Sequence, residues 1–200
     1  MLNTNSPVEI SIAGAEGIKT ALCRWPTDQE WAARQAKRKI VQKNIGRGQT
    51  EIVQSDYSAV DLDLYQKIRQ DGAPDLDEFE SSDLIGRLAM CEVTGAEVAG
   101  SEIRVECLTP AGPAVHVLGM PSAKDRFRYA QSYLKPRDLS FGRQEITIHL
   151  AAPAELYDAN IRQSEGYASP VPIIHKAAVV SAALQAVQEL LDGDGTRPNS

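Results

Sequence analysis

Ile18 to Gly48 reads IKTALCRWPTDQEWAARQAKRKIVQKNIGRG. Ile18, Thr20 and Leu22 alternate with Lys19, Ala21 and Cys23, the period-2 pattern of a strand with one buried face. Pro26 has no backbone donor and ends that strand. Thr27 with Glu30 three residues on is a capping box, in which each side chain satisfies a backbone amide left free at a helix start. Asp28 and Glu30 add negative charge at the positive end of the helix dipole. The pattern predicts a helix running to about Asn44, stopped by Gly46 and Gly48.

The same plan returns in Ala114 to Arg143, AVHVLGMPSAKDRFRYAQSYLKPRDLSFGR. With Pro26 set on Pro121, Thr27 falls on Ser122 and Glu30 on Asp125. Backwards without a gap, Val8, Ile10 and Ile12 fall on Ile103, Val105 and Cys107, and Gly17 falls on Gly112. Forwards with small gaps, Gly46-Arg47 meets Gly142-Arg143, and Glu51-Ile52 meets Glu145-Ile146. Farther on, Ile68-Arg69-Gln70 meets Ile161-Arg162-Gln163. The order of matches predicts a duplication. The expected fold is α+β, two tandem modules, each a β-hairpin followed by helices. The expected divisions are a loose segment 1–7, a module 8–90, a junction 91–100, a module 101–192 and a polar tail 193–200.

Between and beyond the two hairpins, the chain reads as follows. Thr50 to Val53 reads as a short strand, and Ser58 to Gln70 as a helix with Val60, Leu64 and Ile68 on one stripe. Asp75 to Met90 reads as a helix burying Leu76, Phe79, Leu84 and Leu88. Cys91 to Gly100 can add a strand to the hairpin of Ile103–Leu108 with Val115–Leu118. Pro136 must end the helix that Ser122 caps, Gln144 to Leu150 reads as a strand, and Pro153 to Arg162 as a helix. SEGYASPVP is a loop because Pro170 and Pro172 bar a helix. In the last helix, ended by Gly193, Ile173, Ala177, Val180, Leu184, Val187 and Leu191 form an apolar seam. The seam packs either on its own module, which the reading favours, or on another chain.

A net charge of −6 over 200 residues disfavours a general nucleic-acid binder. Cys23, Cys91 and Cys107 are scattered, without a CxxC pair, and fit a reducing compartment. The N-terminal MLNTNSPVEI lacks the basic and apolar regions of a signal peptide, and no apolar run approaches the ~18 residues of a membrane span. The expected location is the cytoplasm. His116, His149 and His175 share no metal-ligand spacing, so neither a metal nor a cofactor is expected. A cysteine nucleophile with a histidine partner would have to be assembled by folding. Gly46-Arg47-Gly48 follows a helix, whereas phosphate loops precede one.

Two features point to partner binding. Arg34, Lys37, Arg38, Lys39, Lys43 and Arg47 form a basic run without an intervening acid. On a helix it is either a solvated face or a dock for an acidic surface, and Asp75, Asp77, Glu78, Glu80 and Asp83 offer one within the chain. Trp25 and Trp31 flank the cap, either as a hydrophobic staple or as anchors for a partner.

LCRWPTDQEW, and less closely VLGMPSAKDRF, resembles the strand–proline–Ser/Thr–acid–helix signature of phage tail assembly chaperones. Arg24, Pro26, Thr27 and Glu30 carry the likeness, as do Pro121, Ser122 and Asp125. The resemblance covers the hairpins and first helices, and two tandem copies depart from that family's single small domain. It implies a cytoplasmic, non-enzymatic protein of a phage or prophage that binds a tape-measure or tail-tube protein, with no catalytic residues. A structural component of a tail or injection particle is the first alternative. An enzyme with a site built from distant Cys and His residues is the second.

Overall fold

The computed structural model describes residues 1–194 apart from 16, 47, 48 and 57. Its architecture mixes helices with strands that pair antiparallel in every named ladder. The chain opens with the hairpin β1 (Val8–Gly14) and β2 (Gly17–Cys23), then α1 (Asp28–Lys37). A second hairpin follows, β3 (Lys39–Gly46) and β4 (Gln49–Asp56), then α2 (Ser58–Ile68) and α3 (Glu78–Leu88). β5 (Glu92–Ala99) leads to the hairpin β6 (Glu102–Thr109) and β7 (Gly112–Gly119), then α4 (Ala123–Tyr133). The hairpin β8 (Leu134–Asp138) and β9 (Arg143–Ile148) precedes α5 (Ala151–Asn160), β10 (Ile161–Glu165) and α6 (Ile173–Asp194).

The strands form a β1-β2 pair, a sheet ordered β10-β7-β6-β5 and a sheet ordered β4-β3-β9-β8. Both expected hairpins are present, and β5 adds to the second as the junction pattern suggested. The caps behave as the sequence requires. The Thr27 hydroxyl accepts the Glu30 amide at 3.2 Å, and Glu30 accepts the Thr27 amide at 2.8 Å. Ser122 accepts the Asp125 amide at 3.2 Å. The 23–25 region meets the segment after α2, where Arg24 donates to Ile68 and Gln70 to Leu22.

The first helix is shorter than its sequence suggests. α1 stops at Lys37, Arg38 is extended, and the run continues as β3. Ile40 and Val41 are β-branched, and β3 is paired on both sides, by β4 and by β9. Two ladders outweigh the helix propensity of the surrounding Lys, Arg and Gln. Gly46, expected as a helix stop, instead pairs with Gln49 at the end of a hairpin. Each expected hairpin-and-helix unit thus has a second hairpin between its helices.

Smaller corrections follow from packing. Phe79 is 81% exposed, and Ile85 takes the buried place expected of it. β10 occupies residues expected to be helix end and loop. The N-terminal segment, expected to be loose, is fastened at Leu2, whose backbone exchanges 2.7 Å bonds with Gly166 and Ala168.

One core gathers Ile12, Cys23, Trp31, Tyr65, Ile68, Leu84, Ile85 and Leu88. A second gathers Ile103, Val105, Leu118, Leu156, Tyr157 and Val179. The seam of α6 packs on its own chain and joins the cores: Ile173 and Ala177 belong to the first, and Val180, Ala183 and Val187 to the second. Leu191 is left 53% exposed.

Candidate functional site

The basic run does not form one surface. Arg34 is buried, and its Nε and Nη2 donate to the Asp61 carboxylate of α2 at 2.5 and 3.0 Å. Ser82 donates to the same carboxylate at 3.1 Å. Lys37 stays at the surface and donates to Asp63 at 3.0 Å, as does Lys67. Those two ammonium groups, Lys67 first, hold the Asp63 carboxyl below its ordinary range. Arg38 lies between α1 and β3, Lys39 opens β3, and Lys43 is exposed near its end. Arg47 lies outside the described residues.

Arg34 and Lys37 thus meet Asp61 and Asp63 of α2, and Lys43 stands opposite Glu51 of β4, in place of the stretch around α3. There Asp75 pairs with Arg69, Glu80 with Lys19 and Asp83 with Arg87, while Asp77 caps α3 and Glu78 accepts from Ser58. The tryptophans are interior. Trp31 is fully buried and Trp25 is 7% exposed, so both serve the core and the cap, and neither is presented to a partner.

A cysteine and a histidine do come together. His116 sits diagonal to Cys107 across the β6–β7 ladder, where Cys107 opposes Ala114. The Cys107 thiol is drawn below its usual range by a hydrogen bond from Cys91, with His116 and Tyr167 adding to the effect. His116 Nδ1 bonds the Tyr157 hydroxyl at 2.8 Å, and Tyr167 bonds His175 Nδ1 at 3.1 Å. Burial pushes His175 down to about 4 and the Cys23 thiol up to about 11. Cys107 is 2% exposed and His116 fully buried. The cluster is closed from solvent, and within it His116 Nε2 and His175 Nε2 are buried without a hydrogen-bond partner.

An open cleft of about 550 Å³ separates α1–α3 from α6, and the Arg34–Asp61 pair lies in its wall. The two charges of that pair offset each other, and Gln35, Arg38, Ser82 and Ser181 also line the cleft.

The β4-β3-β9-β8 sheet is different. All of β8 is exposed. Lys43 of β3 pairs directly opposite Arg143 of β9, and Asn44 donates to Gly142 at 3.1 Å. This register brings both hairpin tips to the same end of the sheet. The tips carry Ile45 (54% exposed) and Phe141 (88%). Phe141 has φ 63°, a left-handed conformation that costs a non-glycine residue of order 1–3 kcal/mol. Lys43 stands between Arg143 on one side and Glu51 on the other, a row of alternating charge across three strands. A shallow pocket of about 270 Å³ beside the tips is lined by Gln42, Asn44, Thr50, Asp138 and Arg143.

Exposed apolar side chains and an energetically unfavourable backbone thus concentrate at one end of this sheet. The sequence places Lys43 among its candidates but gives no sign of Phe141, because LSFGR reads as an ordinary turn. No helix among the described residues is long and apolar enough to cross a membrane. No protein-family model, no curated protein and no solved structure matches this chain.

Proposed function

We propose that this chain is a non-enzymatic protein–protein interaction protein of phage or prophage tail assembly, working in the host cytoplasm. In this reading the paired hairpin tips receive a tape-measure or tail-tube protein. The observation that carries it is Phe141, 88% exposed and at φ 63° beside Ile45. The setting rests on the resemblance of LCRWPTDQEW to tail assembly chaperones. Lys43, Arg137 and Arg143 stand at this end of the sheet among Glu51, Asp138 and Glu145, a mixed-charge surround for the apolar tips.

The same proposal takes the chain as two tandem modules. The order strand–strand–helix–strand–strand–helix runs from β1 to α2 and again from β6 to α5. In both runs the first hairpin leads through a proline into a Ser/Thr-capped helix. Ile68 to Gln70 bonds beside β2 as β10 pairs beside β7. α3 packs on α2 and β1 as α6 packs on α5 and β6.

The test is co-purification of the chain with the tape-measure and tail-tube proteins of its own phage or prophage. Phe141→Gly should raise the melting temperature by relieving the left-handed backbone, Ile45→Ser should leave it unchanged, and both should lose the complex. Full retention of the complex by the double variant would end this reading. Retention of the chain in purified particles would favour the structural-component alternative.

A further inference from the structure

The four-stranded sheet is assembled from two hairpins in a head-to-tail manner. Its central bond joins β3, the outgoing strand of the first hairpin, to β9, the return strand of the second. A symmetric pairing would have joined like to like, β3 with β8 or β4 with β9. Head-to-tail contact leaves two unlike strands at the rims, β4 and β8, with no second strand partner among the described residues. β4 is a return strand and β8 an outgoing one, the same two kinds that already pair at the centre.

We infer that a second copy of this chain adds to the sheet head to tail, β4 of one copy pairing antiparallel with β8 of the next. The inference goes beyond the tail-assembly reading and uses only strand order and rim chemistry. Strand directions alternate across β4, β3, β9 and β8, so a β4 laid beside β8 continues the alternation. The charges agree with unlike rims. β4 contributes Glu51, while β8 contains Lys135 and Arg137 against Asp138. Pairing β4 with β4 would set acid beside acid. Each rim also presents an exposed apolar residue, Ile52 on β4 and Leu134 on β8. A contact between unlike surfaces does not use itself up in a dimer, so it propagates to a ring or a filament.

One residue limits the bond. Tyr133 and Leu139 bond to β9 partners, so the intervening even positions of β8 face the open rim. Pro136 is one of these, and its ring nitrogen has no proton to donate. Proline on a rim is a common guard against uncontrolled pairing. It makes association weak and dependent on local concentration.

The experiment is sedimentation of the full chain over a wide range of concentrations. Pro136→Thr restores the outward donor and should strengthen association roughly two- to tenfold. Thr50 opposes Asn44, whose own bonds face β9, so the Thr50 amide faces outward from β4. Thr50→Pro should abolish growth without touching the β3 ladder. Asp138→Pro should do the same from the other rim. A mixture of the Thr50→Pro and Asp138→Pro chains should give a one-to-one dimer that grows no further, because one good rim of each kind remains. The inference is overturned if Pro136→Thr stays monomeric at every concentration. It is overturned equally if Thr50→Pro leaves association unchanged, or if the two blocked chains do not combine. The Pro136→Thr arm reads a gain, so a folding failure of either blocked chain leaves the inference testable.

Discussion

Arg34 of α1 grips Asp61 of α2 with two parallel hydrogen bonds while both side chains are at least 95% buried. The pair fixes the angle between the two helices that flank the second hairpin. Removing one partner leaves an uncompensated charge in the interior. Asp61→Ala should cost about 3–5 kcal/mol in a denaturant melt, whereas the double variant Arg34→Met/Asp61→Leu should recover most of that. A double variant no better than Asp61→Ala would show that the bond from Ser82 to the carboxylate counts for as much as the pair.

The first cap ties stability to acid. The Arg24 guanidinium, above all, and the Thr27 amide and hydroxyl hold the Glu30 carboxyl down to about 2. The folded state thus keeps this carboxylate charged where the unfolded chain protonates it. Its contribution is whole above the unfolded value of about 4.5 and disappears as pH falls through about 2. Melts of wild type and Glu30→Gln should differ at pH 6 and converge near pH 2. Thr27→Ala should cost ~0.5–2 kcal/mol at neutral pH.

His175 acts in a higher window. Burial pushes it from 6.5 to about 4, so between those values the unfolded chain binds a proton that the folded chain refuses. Its contribution is present above about 6.5 and is lost as pH falls toward 4. Thermal stability should decline over that range in wild type, and the decline should be reduced in His175→Gln. An equal decline in both proteins would assign it to other groups.

Gly166 has φ 93°, and a Cβ there would stand 2.7 Å from the Ala114 side chain and 2.8 Å from the Pro113 carbonyl. Neither obstacle is a flexible side-chain end. Gly166→Ala should destabilise the chain by about 2–4 kcal/mol. It should also speed hydrogen exchange at Leu2 and Ala168, whose bonds run through this turn. Unchanged exchange at Leu2 would mean that its bond to the Gly166 carbonyl survives the substitution and that the turn yields elsewhere.

Much of the fold is readable from local grammar. The hairpins, the prolines that close them, Thr27, Ser122 and the stripe of α2 follow from rules spanning a few residues. β3 does not, because QAKRKIVQKN fits a helix as well as a strand and only the distant β9 decides it. β10 is hidden for the same reason, since its partner β7 lies in another hairpin. Among site residues, the exposure of Lys43 is legible. The burial of Arg34 is not, because charged side chains are rarely interior and Asp61 is needed to make it so. The meeting of Cys107 with His116 could be read once the hairpin register was fixed, since diagonal neighbours share a face.

The attachment of Leu2 to Gly166 and Ala168, with the Ile173 amide donating to Asp28, has a consequence for synthesis. The first core takes Leu150, Ile173 and Ala177 from late in the chain. A ribosome that has released β1 through α3 has therefore released a core with an open side. Local hairpins and helices can form at once, but the interior stays wettable until α6 emerges. Completion is a late event with a large loop to close, so folding should be slow relative to helix formation. A nascent chain cut before residue 173 should be readily digested by protease even though its hairpins and first helices are already in place.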